Sequence, residues 1–171
     1  FSFPRNRLDT VGRSAASIAQ AAQAVFSVIR DSLAAKGGEP VKKGRIVIAT
    51  VKGDIHDIGK NIVRLLLENF GYAVTDLGRD VPPEVITQKV VALHAPILGL
   101  SALMTTTVPA MEETIRQVRK AAPWCKIMVG GAVLNPEYAA AIGADYYSKD
   151  AMEAVRCADH IYTQLIQKRG I

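Results

Sequence analysis

Three side chains in the stretch VKGDIHDIGKNIV, from Val51 to Val63, have the types and spacing to do chemistry. Asp54, His56 and Gly59 form the pattern DxHxxG, which sets a carboxylate two residues from an imidazole and a glycine three residues further on. The apolar run RIVIAT before the pattern reads as a strand and the residues from Ile58 onward read as a helix, so the trio falls in a strand-to-helix turn. In open parallel sheets, ligands bind outside the carboxyl ends of the strands, where such turns lie.

A phosphate cradle is the first candidate chemistry, and its spacing fails. The P-loop has four residues between its glycines and a Ser or Thr after the Lys, whereas Gly53 and Gly59 enclose five and Asn61 follows Lys60. Asp54 and Asp57 would also repel a phosphate. A zinc centre fails on ligand count, because His56 has no second His or Cys at ligand spacing and zinc sites generally take three or more protein ligands. There remains a metal already held by an organic macrocycle, for which one axial imidazole is enough. Metal-ligating histidines usually give their other ring N–H to a carboxylate, and Asp54 is placed to receive it. A lone histidine is ordinarily a satisfied structural residue; the flanking Asp and Gly at a strand-to-helix turn weigh against that here.

The elements that must position this turn follow from the pattern after Arg45. Short β-rich runs (RIVIAT, AVTDL, ILGL, KIMVG, DYY) alternate with helical patterns at about Ile58 to Phe70, Pro83 to Leu93, Val108 to Ala121, Pro136 to Ile142 and Ala151 to Lys168. Parallel strands need crossovers, so this alternation predicts an α/β fold. The natural form is a doubly wound five-stranded parallel sheet of flavodoxin-like (Rossmann-like) order, in which the loops after Thr50 and Leu100 flank one crevice. A phosphoacceptor receiver domain has the same architecture, and Lys149 would suit it, but Leu100-Ser101 offers no acceptor Asp.

Before this domain, residues 1–44 form a separate segment. The Ala-rich stretch from about Leu8 to Ala35 predicts one long helix stopped by Gly37-Gly38, and Glu39 to Gly44 reads as a linker. Leu8, Val11, Ala15, Ile18, Ala22, Val25 and Ile29 make a seam of period 3.5 that needs a partner within the chain, in a second copy or in another domain. The chain begins with Phe1, which raises the expectation of a fragment of something longer.

The net charge of +5 suggests nucleic acid until it is divided along the chain. Of the 21 Lys/Arg and 16 Asp/Glu, 8 and 3 lie in residues 1–45, leaving 13 of each sign in the rest. With the domain neutral and no basic stripe, nucleic-acid binding is not expected. Cys125 and Cys157 stand far apart, in no metal spacing, and read as reduced thiols of a cytoplasmic protein. The apolar stretch from Val90 to Met104 is broken by His94, Pro96 and Ser101 and is too short for a membrane span. His94 and His160 read as structural or solvent-exposed.

Taken together, DIHDIGKNIV, SAL at Ser101 to Leu103 and GG at Gly130-Gly131 resemble the DxHxxG, SxL and GG signature of cobalamin-binding domains. The resemblance runs from about Lys43 to Lys168. It is nearer to methionine synthase and the methyl-carrying corrinoid proteins of methanogens and acetogens than to adenosylcobalamin mutases. It implies base-off binding of cobalamin, as methylcobalamin or a related corrinoid, with His56 on cobalt and the nucleotide tail in a slot beside the sheet. By the family pattern, His56, Asp54 and Thr107 form a proton relay below the metal. Gly53, Asp57, Ile58 and Gly59 contact the cofactor from the same turn. Ser101 and Thr105 bond to the tail, Leu103 packs on it, Gly130 and Gly131 allow close approach, and Asp150 contacts it from the last loop. Without the resemblance, Thr105 to Thr107 would read as a helix cap and Asp150 as an N-cap.

The implied function is a corrinoid-binding methyl-carrier module serving methyl-donor and methyl-acceptor methyltransferase domains or subunits. The alternatives are a cobalamin-dependent sensor or regulatory module, an adenosylcobalamin-dependent mutase subunit, or a flavodoxin-like domain with another ligand. Methyl-carrying members place a four-helix cap before this domain. About 45 residues with one long helix cannot build four helices of ordinary length, so the expectation is a cap missing from this chain, supplied by another, or absent.

Overall fold

The computed structural model describes residues 43–169, together with Gln20 and Ala24. The chain divides into two compact units, Phe1–Val41 and Lys42–Ile171. In the first, Gln20 and Ala24 are helical and exposed; the rest of the expected long helix lies outside the described residues.

The second unit is a five-stranded parallel sheet in the order β2-β1-β3-β4-β5. Its elements are β1 (Arg45–Thr50), α1 (Ile58–Asn69), β2 (Ala73–Asp76), α2 (Pro83–Leu93), β3 (Ile97–Ser101), α3 (Val108–Ala121), β4 (Lys126–Gly130), α4 (Pro136–Ala141), β5 (Tyr146–Tyr147) and α5 (Ala151–Lys168). A single 3₁₀ turn, Thr105–Thr107, leads into α3. The flavodoxin-like order expected from the sequence is borne out. Pairing runs Thr50 opposite Ser101 and Ser101 opposite Gly130, which brings the ends of β1, β3 and β4 into one line.

Period-two alternation sorts the strand residues onto two faces. Ile46, Ile48, Ile97 and Met128 pack under α1 and α5 with Leu67, Ala158 and Ile161. Val47, Ala49, Leu98, Leu100 and Ile127 face the other way, into a larger core with Ile86 and Val90 of α2 and Met111, Ile115 and Val118 of α3. Helix ends follow their local chemistry. Pro occupies the first turns of α2, α3 and α4, where a missing N–H goes unnoticed. Asp150 caps α5 by accepting from the Glu153 N–H at 2.8 Å, and His94 closes α2 in a left-handed conformation at φ 47°, its ring stacked on Trp124 at 4.3 Å. His160 sits exposed on α5, within hydrogen-bond distance of Gln164. Among the described residues no helix is long and apolar enough to cross a membrane.

Candidate functional site

The site begins where β1 runs out. Val51 O accepts from the Asp54 N–H, closing a four-residue turn. Its third residue, Gly53, has φ 85°, a conformation that glycine adopts without steric cost. The turn points the Asp54 side chain inward, where it is fully buried. An ionised carboxylate so placed must be fully bonded, and it is. Asp54 Oδ1 accepts from the His56 backbone N–H at 3.0 Å and lies 2.8 Å from His56 Nδ1. Oδ2 accepts from the Leu103 N–H at 2.7 Å and the Thr107 hydroxyl at 2.9 Å. The loops after β1 and β3 are thus joined through one carboxylate, across the crevice where the strand order reverses.

Electrostatics follow from these bonds. Burial alone would raise the Asp54 pKa; the backbone N–H groups of His56 and Leu103 and the side chains of His56 and Thr107 outweigh it and hold the carboxyl well below its usual range. An ionised Asp54 can only accept, so His56 Nδ1 must carry a hydrogen, and in the neutral ring Nε2 is left with its lone pair. The imidazole is 44% exposed, at the edge of a cavity. Thr107 has a second acceptor, Met104 O at 2.9 Å. Its one hydrogen is drawn to the charged oxygen, since charge-assisted bonds are the stronger. Thr107 makes no side-chain cap to α3, so the capping alternative gives way to the carboxylate at this position.

The cavity has a volume of about 760 Å³ and lies between the first turns of α1 and α5, with Ile48, Gly99 and Met128 of the sheet in its wall. That is the size of ordinary small-molecule and cofactor sites. His56, Asp57, Ile58, Gly59, Ser101, Leu103, Gly130, Gly131 and Asp150 all line it. Asp54 and Thr107 stand behind His56, outside the lining. Gly53 serves the turn, and Thr105 is exposed on the 3₁₀ turn away from the cavity wall.

The glycines have distinct duties. A Cβ on Gly59 would meet nothing within 4 Å, so this position leaves the cavity open. A Cβ on Gly131 would fall 1.8 Å from Ala102 O, so this glycine is required first by the packing of the β3 and β4 loops. Gly99, absent from the sequence reading, sits where a Cβ would press on Ile48 and Met128 at 3.1 and 3.2 Å. Lys60 was also missed. Its side chain is 3% exposed, lines the cavity, and bonds both oxygens of Asp76 at 2.6 Å. Nothing in its local sequence distinguishes it from a solvated helix lysine. Ser148, in the last loop beside Asp150, joins the lining after β5.

The residues present suit a large ligand carrying a metal: one nitrogen lone pair of fixed tautomer, at the edge of a slot that glycines keep open. Among the described residues no three His, Cys, Asp or Glu gather to hold a bare metal ion. Fold and site therefore define a cofactor-holding α/β module with a single histidine at the edge of its cavity. The chain belongs to the B12-binding domain family, whose model matches residues 44–156. The membership and cofactor class expected from the three motifs are borne out.

Similar proteins agree. The chain is 41% identical over 145 residues to dimethylamine corrinoid protein 3 of Methanosarcina mazei, covering 84% of this chain and 86% of that one. A novel cobalamin-binding protein from Desulfitobacterium hafniense superposes with a TM-score of 0.66 at 39% identity, over 70% of this chain and 60% of that chain. The methanol:cobalamin methyltransferase complex MtaBC from Methanosarcina barkeri gives 0.70 at 36% identity, over 79% and 52%. The chain thus spans little more than half the length of those two solved chains.

Proposed function

We propose that this chain is the corrinoid-carrying module of a methyltransferase system, with His56 Nε2 as the lower ligand of cobalt. The observation that carries the ligand assignment is the 2.8 Å contact between Asp54 and His56 Nδ1 at the edge of the cavity. The bound cofactor supplies a cobalt centre that can take up and give up a methyl group; the protein's part is ligation, protonation and access. Asp54 keeps the Nδ1 proton in place and aims the ring. Thr107 donates to the far oxygen of the same carboxylate, so a change in the basicity of His56 is felt as a change in how the Nδ1 proton is shared between ring and carboxylate. Gly59 and Gly99 leave the slot deep enough for the nucleotide tail, and Ser101 lies on its wall to bond with it. Leu103, 41% exposed, offers an apolar surface beside the imidazole.

The partners are methyltransferase subunits or domains on the donor and acceptor sides, supported by the likeness to a chain of the methanol:cobalamin methyltransferase complex. Residues 43–169 furnish the lower face of the corrin, and cover for the upper face comes from outside them. Adding methylcobalamin tests the reading. The wild-type spectrum changes from base-on to base-off with histidine bound, and His56→Ala gives base-off protein without the histidine signature. A His56→Ala spectrum identical to wild type overturns the ligand assignment. Protein that leaves the base-on spectrum unchanged overturns corrinoid carriage in this form.

A further inference from the structure

Two non-glycine residues among those described hold a positive φ, Asp80 at 52° and His94 at 47°. His94 has a local reason, the end of α2. Asp80 caps no helix; it sits between β2 and α2, and its bonds lead to the loop that carries Asp54 and His56. Its carboxylate Oδ1 accepts from the Gly53 N–H at 2.7 Å, and its own N–H donates to Asp54 O at 2.9 Å. The next residue continues the attachment, since the Val81 N–H donates to Thr50 O at 3.1 Å and Val81 bridges Val51 in parallel register.

We infer that Asp80 is a positioning residue for the ligand loop: it clamps the backbone on both sides of Asp54 and thereby fixes the direction of His56. The Asp54 side chain is gripped from the β3 side by Leu103 and Thr107. Its backbone is gripped from the β2 side by Asp80. With both held, the carboxylate cannot swing, and the imidazole bonded to it has one orientation before any ligand arrives. Such preorganisation is what keeps a ligating group within the narrow geometry its function needs. The left-handed conformation at Asp80 directs its side chain and its N–H toward the same loop. Residues of this backbone type are found where surrounding bonds over-determine them, commonly at functional sites. Asp and Asn are the residues that reach this region with a short polar side chain able to bond locally.

This inference rests on the proposed ligation by His56, and the test separates the two. The full chain is prepared as wild type, Asp80→Asn, Asp80→Gly, Asp80→Ala and His56→Ala, and each is titrated with methylcobalamin while the visible spectrum is recorded. Asp80→Asn keeps the oxygen and the tolerated φ, and matches wild type. Asp80→Gly keeps the φ without the oxygen and Asp80→Ala keeps neither; both bind about tenfold more weakly, the scale of one lost hydrogen bond. They also show less of the histidine-bound spectrum at saturation. Hydrogen exchange of the Gly53 amide in unloaded protein gives a second readout, faster in Asp80→Gly and Asp80→Ala and unchanged in Asp80→Asn.

If His56→Ala alters the spectrum while Asp80→Gly matches wild type in affinity, spectrum and exchange, the clamp is overturned and the ligation stands. Equal losses in Asp80→Asn and Asp80→Gly also overturn it, because the acceptor oxygen would then not matter. A His56→Ala spectrum identical to wild type overturns both. Asp80→Gly carries the comparison if Asp80→Ala folds too poorly to load.

Discussion

Replacing Asp54 by Asn removes a charge and little else, and the structure sets its cost. The carboxylate is fully buried and takes four hydrogen bonds, two at each oxygen. Asn has one oxygen. If that oxygen faces His56, the amide NH₂ faces Leu103 N–H and Thr107; the hydroxyl can rotate to accept, but the Leu103 N–H is left against another donor. A buried donor without an acceptor costs about 1–3 kcal/mol, and the surviving bonds lose their charge assistance, for a total of about 2–4 kcal/mol. At this chain length, that lowers the melting temperature by roughly 5–15 °C. The pH dependence carries the sign. The folded carboxyl titrates below its ordinary value of 3.8, so its contribution is complete above that pH and is lost as the pH falls toward the folded pKa. The gap between wild type and Asp54→Asn should therefore be constant from neutrality down to about pH 4 and narrow steadily below that. Chemical denaturation of both proteins between pH 2 and 7 measures it. A gap under about 0.5 kcal/mol at pH 7, the level of an ordinary surface substitution, or a gap that does not change with pH, would refute the reasoning.

Two further substitutions separate holding the ligand from holding the fold. Gly59→Leu puts a side chain into the open slot, where a Cβ meets no atom within 4 Å; the chain should melt at or above the wild-type temperature, since Gly in a helix is unfavourable by about 1 kcal/mol, yet bind cobalamin at least tenfold more weakly by titration. Lys60→Met removes the cation that Asp76 meets at 2.6 Å and leaves it the Gly78 N–H and the more distant Arg64, at 3.6 Å. It should cost about 1.5–3 kcal/mol in denaturation experiments, the range of a hydrogen bond to a charged group, and Lys60→Met/Asp76→Leu should recover only part of that, because Arg64 then loses its partner as well.

What the sequence made legible was whatever repeats or sits close along the chain. The alternation of Ile46 and Ile48 with Val47 and Ala49 announces a strand buried on both faces, and the structure sends those pairs to opposite cores. Asp54 and His56 are two residues apart, so their contact could be read from spacing. Pairs formed only by folding left no such trace. Lys60 meets Asp76 from sixteen residues away, and Asp80 reaches Gly53 across twenty-seven. Gly131 carried a motif signal, but its strictest requirement is the Ala102 carbonyl, a neighbour supplied by strand pairing. Gly99 gave no signal, because a glycine inside a strand reads as a weakness until the open wall beside it is known.

The two faces of the sheet have unequal duties. The smaller core, under α1 and α5, shares Ile48, Met128 and Ala154 with the slot; the larger one, under α2 and α3, meets it near the strand ends, through Leu100 and Val129. A ligand in the slot therefore lies mainly against one side of the sheet and touches the other near the strand ends. The side under α2 and α3 acts as a keel, giving the strand ends a fixed footing while α1 and α5 frame the slot.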